Sequence, residues 1–297
     1  MGDDTLNTFQ EFCQHHTRLV AVSKTKPVED IIQAYDAGQR VFGENYVNEL
    51  LEKASNKELL ELCPDIQWHF IGRLQRNKAS RVARLSALTT VETLDSARLA
   101  DTLNAAREKA DLAPLGVMVQ VNTSNEPNKG GVQAEEAAAL ARHVRTECPA
   151  LVFTGLMTIG AFDHDLSVGP NPDFQLLMRC RTQVAEELGV DCHQLEISMG
   201  MSADYEHAIM LGSTNVRVGS QIFGARQYKN TSNGPAESSG APAAESGDAP
   251  GKAAVGPRTG SAGSGGGSQQ QAAAPGGHSG DPGGAEPAEP ARLSAVQ

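Results

Sequence analysis

The chain has 297 residues, 39% of them apolar, and a formal net charge of −11, which suits a soluble protein that buries one sizeable core or two small ones. The acidic balance argues against a nucleic-acid partner, because phosphate binding needs a basic field. No apolar run approaches the roughly 18 residues that span a bilayer.

The start, MGDDTLNTF, is acidic where a signal or transit peptide would be basic or apolar, and Leu6 stands where a myristoylation motif on Gly2 wants Ser or Thr. A cytoplasmic protein is expected. The five cysteines are odd in number, scattered and nowhere spaced as CxxC, so neither a disulfide framework nor a zinc site is indicated.

Leu6, Phe9, Phe12 and Cys13 suggest a short helical segment over residues 1–17. β-rich runs then follow in order: LVAVS (19–23), RVFGEN (40–45), QWHFIG (67–72), TTVETLD (89–95), GVMVQVN (116–122), FTGLMTIG (153–160), QLEISMG (194–200) and NVRVGS (215–220). Between them, apolar residues recur three and four apart over Glu29–Ala37, Ala97–Ala110, Glu135–Val144 and Phe174–Leu188. Eight strand-helix units over residues 18–230 predict an α/β fold, a single (β/α)8 TIM barrel. An open doubly wound sheet is the alternative, but no GxGxxG follows any strand. After Tyr228 the composition turns to Gly, Ala, Ser and Pro, and residues 231–297 read as a disordered tail. That tail carries three basic and six acidic residues, leaving −8 on the barrel.

Barrel chemistry sits at the C-terminal ends of the strands. Strand one ends in SKTKP. Side-chain alternation puts Val20, Val22 and Lys24 on one face, while Lys26, next to Pro27, falls in an exposed turn. A partly buried amine has a lowered pKa and is available to attack a carbonyl, although a snorkelling surface lysine is the commoner occupant of a strand end. The loops after strands seven and eight are the usual phosphate site of such barrels. Ser198-Met199-Gly200-Met201-Ser202 leads into a helical stretch, Ala203–Leu211, with Ser202 at the N-cap position, and Gly219-Ser220 opens the next turn. Arg217 shares the face of Gly219 and should point inward. Its partner is either a structural carboxylate or a pyridine nitrogen. Arg73, Arg76, Lys78, Arg81 and Arg84 recur at helical spacing and read as a solvated face.

A phosphate cradle, a strand-one lysine and an inward arginine are the parts of a pyridoxal 5'-phosphate site. The motifs AVSKTKP, FGENYVNELLEKA, WHFIGRLQRNK, GLMTIG, SMGMSADYEHAI and GSTNVRVGSQIFGAR together resemble, in this order, the pyridoxal phosphate homeostasis protein family, whose fold is similar to the N-terminal barrel of alanine racemase. The resemblance covers residues 18–228. It implies pyridoxal 5'-phosphate as cofactor, held as a Schiff base on Lys24. Its phosphate would be held by Ser198, Ser202, Gly219 and Ser220, and its pyridine ring would face Arg217. It also brings Asn45, His69 and Met157 into the pocket. From the residues alone His69 reads as a satisfied core histidine and Met157 as core filling.

The resemblance further implies a carrier in intracellular vitamin B6 homeostasis that could pass cofactor to apo-enzymes; a monomer is expected, because absence of the second racemase domain removes one reason to dimerise. An arginine at the ring nitrogen weakens the cofactor as an electron sink, and no second racemase domain follows Arg226. The alternative is an amino-acid racemase using Lys24 with His69 or Tyr46. A third reading is a scaffold that contacts a protein partner through the basic stripe.

Overall fold

The structure is a computed structural model that describes residues 17–161, 164–165 and 168–224. Both the expected N-terminal helix and the expected tail lie outside these residues. Eight strands run β1 (Arg18–Val22), β2 (Val41–Glu44), β3 (Gln67–Phe70), β4 (Leu88–Leu94), β5 (Leu115–Gln120), β6 (Leu151–Met157), β7 (Glu196–Ser198) and β8 (Asn215–Val218). They close into a barrel in chain order. Every neighbouring pair is parallel, including β1 with β8, where Val20 lies opposite Arg217. The (β/α)8 expectation holds, and all eight strands fall on the runs read from the sequence.

Around the barrel lie α1 (Val28–Asp36), α2 (Val47–Ala54), α3 (Lys57–Leu62), α4 (Arg76–Val82), α5 (Ala97–Lys109), α6 (Ala137–Glu147), α7 (Pro172–Leu188), α8 (Tyr205–Met210) and α9 (Ser220–Phe223). The short α2 and α3 were not anticipated. They divide at Asn56, whose side chain accepts from the Leu59 amide and caps α3, while α2 sets Val47, Leu50, Leu51 and Ala54 on one face. The basic stripe forms α4 and its flanks, with Arg73, Arg76, Arg81 and Arg84 exposed.

Two layers of side chains hold the barrel. The outer layer packs strand residues such as Ala21, Phe42, Trp68, Val117, Val119 and Leu156 against helical Ile31, Leu50, Leu103, Leu140, Val144 and Phe174. Phe42 and Trp68, opposite one another across β2 and β3, meet with ring centroids 6.0 Å apart at a tilt of 52°, a favourable geometry for an aromatic pair. The alternating residues fill the interior. A Cβ on Gly43 would lie 2.9 Å from Val20 Cγ1 and 3.0 Å from Ile71 Cδ1, so two branched residues use the volume that a β2 side chain would need. Because strands are covered on both faces, β5 is buried throughout, and its sequence shows no polar alternation.

Gly155 on β6 marks a very close strand approach: a Cβ there would stand 1.9 Å from the Glu196 carbonyl oxygen on β7. The obstacle is backbone and cannot swing aside. Gly155→Ala is expected to lower unfolding free energy by about 3 kcal/mol, the upper end of overpacking costs, measured by chemical denaturation.

Candidate functional site at the barrel mouth

Polar side chains from β3, β4, β7 and β8 meet in the barrel interior. Arg217, on β8 and 4% exposed, donates from one terminal nitrogen to Ser198 Oγ on β7 at 2.5 Å and from the other to the Thr158 carbonyl at 2.8 Å. Ser198 Oγ in turn donates to Glu92 Oε2 on β4 at 2.6 Å, and Glu92 Oε1 meets His69 Nδ1 on β3 at 2.6 Å. The guanidinium lies 4.0 Å from Glu92. A buried, permanently charged group must be paired, and Glu92 is the pair.

Burial alone would raise the Glu92 carboxyl, but His69, Arg217 and Ser198 outweigh it and hold the group below its ordinary range. Burial lowers Arg217 while Glu92 and Asp204 oppose the fall. The bland alternatives for Arg217 and His69 thus describe real contacts: the arginine has its carboxylate neighbour and the histidine is satisfied.

Glu92 was missed by sequence reasoning. Its signal is an acidic residue in TTVETLD at an inward-facing strand position, flanked by β-branched residues that demand burial. Because the folded-state pKa is depressed, the stabilisation from Glu92 is present above the ordinary carboxylate range and is lost as pH falls through the lowered value. Glu92→Ala strands a buried guanidinium and is expected to cost about 3–5 kcal/mol, read from urea denaturation at neutral pH.

The remaining expected residues lie around this network. Met157 is buried at the end of β6, in register with Gln120 and Ser198. Asn45 follows β2, and its Oδ1 is buried with no hydrogen-bond partner among the described residues. Beside it, a Cβ on Gly72 would stand 1.9 Å from the Asn45 carbonyl oxygen, so glycine is what lets the β2 and β3 ends converge. Ser198 stands in the network, its hydroxyl placed between Glu92 and Arg217. Ser202 is not a helix cap. Asp204 occupies that position, α8 starts at Tyr205, and Asp204 Oδ1 accepts from the Met201 amide at 2.6 Å. A short polar side chain that bonds the backbone before it delays the helix. Ser202 Oγ instead accepts from the Gly219 amide at 3.3 Å, tying the β7 loop to the β8 loop. Gly219 also packs on β1, since a Cβ there would meet the Val22 carbonyl oxygen at 3.1 Å. Ser220 is exposed at the start of α9.

The two lysines after β1 differ in surroundings. Lys24 is half-buried in the turn. Lys26 reaches across to α9, where its Nζ donates to the carbonyl oxygens of Phe223, at 2.5 Å, and Gly224, at 3.2 Å.

Behind the turn, Glu44 at the end of β2 is buried. Its Oε1 accepts from Ser23 Oγ and from Lys53 Nζ, each at 2.7 Å. Burial, outweighing Lys53 and Ser23, pushes its carboxyl up to about 6. A raised folded-state value favours the protonated form, so this contribution is complete below the unfolded carboxyl pKa and is lost as pH rises through about 6. The stability of the native chain relative to Glu44→Gln should therefore fall by about 2 kcal/mol between pH values of roughly 4 and 7, measured by urea unfolding across that range.

Away from the mouth, Asp101 on α5, with His143 and Cys148 on and just after α6, brings ligand-type atoms within 4.8 Å of one another. Sequence spacing did not disclose this group because its members come from two helices. His143 Nε2 and Asp101 Oδ1 are hydrogen-bonded at 2.7 Å.

Residues 3–227 match the family described as alanine racemase, N-terminal domain. The barrel resembles alanine racemase from Corynebacterium glutamicum, with a TM-score of 0.54 and 14% identity over 78% of this chain and 63% of that one; at this identity the likeness shows the fold. The class of protein is thus an alanine-racemase-type barrel. Within that class, the chain is 54% identical over 226 residues to the pyridoxal phosphate homeostasis protein of Bos taurus, covering 76% of this chain and 83% of the relative. It is 55% identical to that of Homo sapiens, over 71% and 77%. PipY of Synechococcus elongatus, solved with PLP (pyridoxal phosphate) bound, is 31% identical with a TM-score of 0.64, over 75% of this chain and all of that one. The chain belongs to the pyridoxal phosphate homeostasis protein family.

Proposed function

We propose that this barrel binds pyridoxal 5'-phosphate reversibly at its mouth, through Lys24, and serves in pyridoxal phosphate homeostasis rather than in catalysis. The observation that carries the reading is the buried Arg217, braced by Ser198, Glu92 and Thr158 in a barrel whose relative PipY was solved with PLP bound. The residues present fit the group. The Arg217 fork keeps N–H donors beyond the two committed to Ser198 and Thr158. Asn45 Oδ1 is a buried acceptor without a partner among the described residues. Gly219 lets the β8 loop close against β1.

Pyridoxal phosphate supplies an aldehyde that condenses with an amine. The chain supplies the amine of Lys24, an anion site from Ser202, Gly219 and Ser220, and a donor toward the ring nitrogen from Arg217. In this reading Ser198 positions the arginine instead of binding phosphate, while Asn45, His69 and Met157 line the pocket. An arginine at the ring nitrogen keeps that nitrogen unprotonated, which weakens the ring as an acceptor of carbanion charge and disfavours amino-acid chemistry. His69, one base available to a racemase, is already bonded to Glu92 at Nδ1. The other, Tyr46, is 54% exposed. Delivery of cofactor to apo-enzymes extends the reading and is tested by transfer to an apo-transaminase across a membrane-free mixture.

Borohydride reduction of the cofactor-loaded protein, followed by peptide mapping, should put the pyridoxyl group on Lys24, and Lys24→Ala should abolish both that label and the absorbance near ~420 nm. A label on any other residue in the native chain would refute the assignment. Rapid α-proton exchange of L-amino acids in deuterated water would favour the racemase.

A further inference from the structure

Lys24 lies in a turn whose backbone is bonded on both sides of it to side chains of α2. Lys53, in the last turn of that helix, is 5% exposed. Its Nζ donates to the Ser23 carbonyl oxygen, to Glu44 Oε1 and to Glu49 Oε1, each at 2.7 Å. Glu49 Oε1 also accepts from the Thr25 amide at 2.6 Å, and Glu44 Oε1 accepts from Ser23 Oγ. Both chain neighbours of Lys24 are thereby bonded to one buried cluster, Ser23 through its carbonyl and hydroxyl and Thr25 through its amide.

A second observation agrees. Thr25 has φ of +63°, a left-handed conformation that is an outlier for a β-branched residue and persists only where the surroundings over-determine it. The Glu49 bond to the Thr25 amide is that over-determination. The Lys26 amide closes the turn on the Ser23 carbonyl at 3.0 Å, the same oxygen that Lys53 holds. A lysine on a conventional turn would sweep a wide volume, because its stem has several freely rotating bonds and only its backbone can be aimed.

We propose that Lys53 is a positioning residue for the cofactor lysine: its ammonium, with Glu44 and Glu49, locks the Ser23–Thr25 backbone in the conformation that presents Lys24 to the bound aldehyde. The proposal rests on the reading of Lys24 given above and adds the agent that orients it. Lys53 itself touches no cofactor in this scheme. Its role is to hold the turn, as outer residues hold the groups that bind a ligand.

The test compares the native chain, Lys53→Met and Lys53→Arg, with Lys24→Ala as the blank, using pyridoxal 5'-phosphate itself as probe. Equilibrium titration should show at least about a tenfold loss of affinity in Lys53→Met. Borohydride mapping should show the share of label on Lys24 falling as other lysines compete. Lys53→Arg, which keeps the charge and the donors, should recover most of both. Circular dichroism and thermal melting establish that each variant is folded; if Lys53→Met fails to fold, the comparison passes to Glu49→Gln, which weakens the Thr25 anchor from the half-buried side. Native affinity and native label distribution in a folded Lys53→Met, or in Glu49→Gln if that variant is used, overturn the proposal. Absence of label on Lys24 in the native chain would instead overturn the reading of the cofactor site, so the two failures are distinguishable.

Discussion

A buried guanidinium that cannot give up its proton is the constraint around which the interior of this barrel is arranged. Arg217 has little access to water, and the cost of leaving such a charge unpaired is several kcal/mol. The charge is met by Glu92 from the far side of the barrel through Ser198, and the second oxygen of Glu92 is met by His69. The strands β3, β4, β7 and β8 therefore give inward positions to the polar residues of this network. Apolar side chains such as Val20, Ile71 and Met157 fill interior volume around it. A network of this kind is satisfied only if the strands keep their register, because a slip by one residue would turn each of these side chains toward the helices. The same bonds that neutralise the arginine thus fix where its remaining donors face.

Above that layer, the loops are tied to one another rather than left to their own turns. Lys26 joins the β1 turn to the last carbonyls of α9, Ser202 joins the β7 loop to Gly219, and Gly219 approaches β1 at Val22. Each tie crosses between segments far apart in sequence. Together they link the turn carrying Lys24 to the β7 and β8 loops. In the proposed function, that linkage sets the separation between the ends of a ligand with an aldehyde at one end and a phosphate at the other.

Much of this was legible beforehand, for a physical reason. Strand parity and the change from apolar runs to Gly- and Ser-rich ends are local signals, so the barrel, the inward Arg217 and the special character of the β1 turn could be read from short stretches. Partnerships could not. Glu92 stands more than a hundred residues from Ser198, and Lys53 looks like an ordinary solvated helix lysine until α2 is seen to bury it against Ser23 and Glu44. The N-cap given to Ser202 failed because Asp204, two residues on, offered the backbone a competing bond. Propensity names candidates for a cap, but which of them captures the amide depends on the path of the incoming chain.

The three lysines near the mouth show how little a residue's identity says about its use. Lys26 spends its donors on carbonyl oxygens at a helix end, and Lys53 spends its own on two carboxylates and a carbonyl. In both, the ammonium serves as a tie, and what it ties is the backbone on one side or the other of Lys24. In the proposed reading, the cofactor amine and its supports are thus one residue type, separated by the kinds of oxygen each can reach. Replacing either support by arginine would preserve charge, whereas replacing Lys24 by arginine would preserve charge and remove the amine that the proposed function requires. Under the proposed function, that asymmetry makes the turn, more than the barrel as such, the part of the fold committed to a single chemistry.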